Sequence, residues 1–136
     1  RKKTMTASCC NAAGVTRDTS AQDDLIVGDH VQTTGVLLTG GVAYARGDLL
    51  GVTAVTNVAT LIANGTMANS QYIMPFTLTA AEATAHAATG KEIQVYNQGE
   101  FAQDKVSFSG VALTGPEILA VKAALGPRKI ELRKVL

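Results

Sequence analysis

"GVAYARGDLLGV", residues 41–52, places apolar residues in alternation on both sides of a polar tripeptide. Val42 and Tyr44 fall on one face of an extended chain and Ala43 and Ala45 on the other, and the apolar run resumes at Leu49. Arg46-Gly47-Asp48 is therefore predicted to be the turn of a hairpin between two strands. Gly supplies the positive φ of a tight turn, and Asp favours turns. The same tripeptide is used by many adhesion ligands to bind integrins, but a three-residue match arises readily by chance, and the turn accounts for its residues. Adhesion is set aside on that ground. As a plain turn former, Asp48 is expected to tolerate replacement by Glu, whereas Gly47→Val is expected to harm folding.

Outward from this turn the pattern stays β-rich. Upstream, "HVQTTGVLLTG" reads as one or two strands ending at Gly40-Gly41. Downstream, "LLGVTAV" returns from the turn, "VATLIANGT" is apolar and β-branched before an Asn64-Gly65 turn signal, and "QYIMPFTLT" reads as a strand that Pro75 confines to an edge or bulge. "EIQVYNQGEF" reads as a strand bent at Asn97-Gln98-Gly99, and "KVSFSGVAL" as a further alternating strand. Two stretches carry helix signals. Thr79 and Glu82 have capping-box spacing, predicting a short helix over residues 80–88 ended by Gly90, with a loop as the alternative. "TGPEILAVKAALGP" has Pro116 at the first position and Glu117 in the first turn, with Ile118, Val121 or Lys122, and Leu125 at helical spacing. The final "RKIELRKVL" is a strand with Ile130 and Leu132 facing inward.

Residues 1–29 differ in kind. They are small and polar, with no period of 2.0 or 3.6 before Leu25-Ile26-Val27. They read as an extended arm that gains order from a neighbour, and residues 30–136 as one β domain. Cys9 and Cys10 are adjacent, with no further Cys or His at ligand spacing, so reduced thiols in the arm are the expectation.

The whole chain has 136 residues, 4% aromatics and no Trp. Its core must be built from Val, Leu, Ile and Ala, and so thin a core favours an oligomer. The net charge of +1 divides into +3 over residues 1–3, +3 over residues 128–136 and −5 between them. An acidic body lacking interleaved basic and aromatic residues does not fit nucleic acid. No apolar run approaches membrane-spanning length, so no membrane partner is expected.

The sequence offers little chemistry. His30 and His86 are the only histidines. Glu82 and His86 share a helix face, which reads as a surface pair. Asp23, Asp24 and Asp29 lack the spacing of a calcium loop, and no phosphate loop or nucleophile elbow is present. No catalytic constellation, metal site or cofactor is expected.

With the turns placed, the chain resembles the head decoration proteins of tailed bacteriophages, the lambda D-like family. Tyr44, Arg46, Gly47, Leu50 and Gly51 match the family's aromatic, Arg-Gly, linker and apolar-Gly pattern. Val95, Tyr96, Gly99, Glu100 and Phe101 match its valine-aromatic strand followed by Gly-Glu-Phe. The family often has Asn where this chain has Ala102. The resemblance covers about residues 30–136 and implies a mainly β fold with a little helix. That fold is a small β-tulip barrel behind an extended N-terminal arm, with one short C-terminal helix and a final strand. It further implies a homotrimer bound to the expanded major capsid protein on the outer surface of the virion, stabilising the head against packaged DNA, in a protein made in the host cytoplasm. The arm contacts are expected at Val15, Thr16, Arg17, Thr19, Leu25, Ile26 and Val27, through strand addition. Tyr44, Arg46, Gly47, Gly51, Tyr96, Gly99, Glu100 and Phe101 are expected as turn and core residues. The alternative is a carbohydrate- or receptor-binding β module on a virion surface, which would need exposed aromatics.

Overall fold

Leu49 and Leu50 are adjacent in the chain, and both are fully buried. Neighbouring residues of a strand face opposite ways, so the sheet is covered on both sides at this point. The computed structural model describes residues 25–28, 30–53, 55–63 and 65–134. Along them run β1 (Gln32–Leu38), β2 (Leu49–Thr53), β3 (Val58–Leu61), β4 (Tyr72–Ile73), α1 (Ala80–Thr89), β5 (Ile93–Ala102), β6 (Ser107–Phe108), β7 (Val111–Ala112), α2 (Gly115–Leu125) and β8 (Ile130–Arg133). The fold is mainly β, with a final strand as expected.

Five of these strands pair in a closed cycle. β1 runs parallel to β3, with Leu37 opposite Val58. β3 is antiparallel to β2, β2 to β4, β4 to β5, and β5 returns antiparallel to β1. β8 adds outside the cycle, parallel to the second half of β5, with Phe101 opposite Leu132.

Two hydrophobic clusters follow from this arrangement. Val36, Leu38, Leu50, Ala59, Ile93 and Val95 come from β1, β2, β3 and β5, and Met74, just after β4, joins them with Tyr44, Leu78 and Ala83 of α1. On the opposite face, Leu49 and Ile73 pack with Phe101, Val106, Ile130, Leu132 and the buried side of α2, Val121 and Leu125. Large aromatic side chains are scarce in both, so close packing of branched aliphatics carries the burial.

The helix signals are realised locally. In α1 the Thr79 hydroxyl accepts from the Glu82 N–H at 3.1 Å, and the Glu82 carboxylate accepts from the Thr79 N–H at 2.8 Å. Helix α2 begins at Gly115, one residue before the expected start, and Glu117 accepts from the Thr114 N–H at 2.8 Å.

Four strand readings are corrected. Residues 42–45 form no strand, and Tyr44 instead makes a single antiparallel bridge to Leu78. The Arg-Gly-Asp turn therefore does not close a hairpin. The "QYIMPFTLT" strand is confined to Tyr72–Ile73. Asn97-Gln98-Gly99 does not turn the chain back: β5 continues through it, and the register shifts because Gln32 faces Gln98 while Thr33 faces Tyr96. Asn97 is the extra residue of a bulge. "KVSFSGVAL" is two strands, β6 and β7, joined through Ser109 and Gly110, both at positive φ.

Candidate assembly surface

Asp48 is only 1% exposed. Its Oδ2 accepts from the Ala45 N–H at 2.9 Å, and its Oδ1 accepts from Ser107 Oγ at 2.6 Å and the Gly110 N–H at 2.9 Å. One buried carboxylate thus closes the turn before it and holds the β6–β7 hairpin. Burying a carboxylate without such donors would be costly. Gly47 has φ +94° and sits against the Lys105 backbone carbonyl, where a Cβ would be driven into the oxygen. Its N–H donates to Met74 O at 2.8 Å. Arg46 is half-buried, donates to Pro75 O and lies 6.0 Å over the Tyr96 ring, with its Nη1 3.4 Å from the Tyr96 hydroxyl. The tripeptide is committed to internal contacts and is not presented as an adhesion loop. Asp48 does more than shape its own turn: two of its three partners, Ser107 and Gly110, lie 59 and 62 positions along the chain, where no local pattern reveals them.

Tyr44 is also buried, and its hydroxyl donates to Thr39 O at 2.7 Å. Burial raises its pKa above the ordinary value of 10.0. Gly51 packs where a Cβ would meet Ile62 and the Asn69 carbonyl.

The second block is built around Gly99-Glu100-Phe101. Phe101 is fully buried, 5.2 Å from Tyr96 between ring centroids. Gly99 has φ +142°, and a Cβ there would come within 3.2 Å of the Phe101 ring and 3.1 Å of Val31. The glycine leaves the space in which the ring lies. Glu100 pairs with Arg133 at 2.6 Å.

Of the residues expected to make arm contacts, Val15, Thr16, Arg17 and Thr19 lie outside the described residues. Leu25 and Ile26 are corrected. Leu25 is 3% exposed and belongs to the Phe101 cluster, and Ile26 packs against the same cluster. Leu25 O accepts from the Ala102 N–H at 2.8 Å, and the Val27 N–H donates to Glu100 O at 3.0 Å. These residues make an antiparallel bridge to β5, so Leu25–Val27, expected in the arm, pack with the β domain. Of the three, Val27 keeps the largest exposure, at 36%.

Other surface features are modest. Val55, Leu119 and Val111 are the most exposed large apolar side chains among the described residues. An open cleft is lined by His30, Gln98, Glu100, Lys129 and Glu131. The Glu82 carboxyl lies below its ordinary pKa because it accepts hydrogen bonds from Thr79, with His86 contributing a smaller attraction. Its role is therefore to cap α1. Among the described residues no group of three His, Cys, Asp or Glu side chains is placed to hold a metal ion, and no helix is long and apolar enough to cross a membrane. No family model matches the chain, and no curated protein matches it.

Proposed function

We propose that the chain is a structural virion protein, a decoration protein of lambda D type. It would bind the expanded major capsid protein on the outside of a tailed-phage head as a homotrimer. The reading rests on the two sequence blocks that carry the resemblance. They are separated in the chain, yet Arg46 of the first lies over Tyr96 of the second, and a shared structural unit is what a family pattern at both sites would preserve. The chemistry fits an architectural role, because the polar groups of the first block serve internal bonds. The aromatic side chains give the sugar-binding alternative little support. Tyr44 and Phe101 are buried, and Phe76, 39% exposed, is the most open aromatic among the described residues. Residues 1–24 are proposed as the capsid-contacting arm, with Val15, Thr16, Arg17 and Thr19 adding a strand to an exposed edge.

The test is co-sedimentation of the full chain with expanded and unexpanded heads of a lambda-type phage. Saturable binding to expanded heads alone is expected. Equal binding to both, or to neither, overturns the proposal.

A further inference from the structure

The Gly-Glu-Phe block has a further role in the structure. Phe101 stands opposite Ile26 in the antiparallel bridge between the segment Leu25–Gly28 and β5. Two main-chain hydrogen bonds join that segment to the flanking residues, Glu100 and Ala102. Beyond Val27 the chain passes through Gly28, over which the Glu100 side chain lies: a Cβ at Gly28 would be 2.9 Å from Glu100 Oε1. The same Oε1 accepts from Arg133 Nη1 at 2.6 Å, which braces the glutamate from β8. At the other end of the segment Leu25 is sunk into the Phe101 cluster and approaches Gly47, where a Cβ would lie 3.7 Å from Leu25 Cδ1.

We propose that Leu25–Gly28 is a strap and that Gly99-Glu100-Phe101 is its mooring. Leu25 is the plug, the main chain of Glu100 and Ala102 is the seam, and the Glu100–Arg133 pair is the clasp over Gly28. A pull on the residues before Leu25 is then delivered to the Phe101 cluster and not to the cluster around Tyr44. The strap is a property of the free chain and does not depend on what residues 1–24 bind, so it stands or falls separately from the capsid reading.

Hydrogen exchange on the free full-length protein tests it. In the natural chain the Val27 and Ala102 amides should be protected. Leu25→Ala should speed exchange at both by at least about tenfold, while Leu37 and Tyr44, whose amides donate to Asn57 O and Leu78 O, keep their rates. Gly28→Ala, a milder change that pushes the clasp aside, should do the same to a smaller extent, and Leu25→Met should restore protection. The strap is refuted if Val27 and Ala102 exchange unprotected in the natural chain, or if both variants accelerate all four amides alike.

Discussion

Ser107 Oγ donates to Asp48 Oδ1 at 2.6 Å across 59 residues of sequence. This bond and the Gly110 N–H beside it fasten the β6–β7 hairpin to the turn that precedes β2. Truncating Asp48 leaves three donors without their acceptor at a partly buried site. Hydrogen bonds to a charged group contribute about 1.5–3 kcal/mol each and are not additive, so Asp48→Ala should lower unfolding stability by about 3 kcal/mol or more. Asp48→Glu should cost about 1–3 kcal/mol through overpacking. Urea denaturation measures both, and a glutamate variant as stable as the natural chain would show that the site has slack.

Gly47→Ala should be more harmful than an ordinary glycine replacement in a turn. A left-handed alanine alone costs about 1–2 kcal/mol, and here the added methyl also meets the Lys105 carbonyl. The expected outcome is a protein that is mostly unfolded or recovered in low yield. A melting temperature within a few degrees of the natural chain would mean that the β5–β6 connection moves aside freely.

Phe101→Ala should cost about 3–5 kcal/mol, the range for emptying a large aromatic site in a packed core. Gly99→Ala should lose part of the same stability, because its methyl intrudes on the ring and on Val31. Combining the two should be less harmful than their sum. Thermal melts of the three variants provide the check, and strict additivity would show that the glycine and the ring do not share space.

Acid should loosen α1 through its cap. The Glu82 carboxyl lies below its ordinary 4.5 in the folded protein. Its contribution is therefore complete above 4.5 and is lost as pH falls through the lower folded value. Glu82→Gln should remove this dependence, and the amide exchange of Glu82 and Ala83 below that pH should then change less than in the natural chain. Identical acid profiles would assign the loss to another group.

Alkali acts on Tyr44 with the opposite sign. Burial holds the phenol above 10.0, so its contribution is complete below 10.0 and declines as pH rises toward the folded value. Tyr44→Phe should lose about 0.5–1.5 kcal/mol with the bond to Thr39 O and flatten the alkaline limb of a stability–pH curve. An unchanged limb would point to other titrating groups.

Local signals in the sequence were legible. The Thr79–Glu82 cap and the alternation of Ile130 and Leu132 each depend on residues a few positions apart, and both appear in the structure. The Tyr44 segment was misread as a strand because its alternation is real, yet its partner is Leu78, supplied by the fold and not by the turn. Gly99 reads as a turn glycine by composition, whereas it serves the Phe101 ring inside a continuous strand paired on both edges. The burial of Asp48 and Leu25 was illegible for the same reason: Ser107, Gly110 and Ala102 are brought to them only by long-range pairing.

β5 receives residues 25–27 through Glu100 and Ala102, while the Gly99 N–H donates to Lys129 O on the side of β8. The earliest and latest described segments thus meet on one late strand. During synthesis Leu25 leaves the ribosome long before its socket exists, and β1 waits equally for β5. Long-range closure of this kind slows folding relative to a helical chain of similar length. The nascent protein therefore carries the Leu-Ile-Val run without its β5 partner until residue 102 has emerged, and that interval is a period in which a chaperone, or a wrong strand, can bind it.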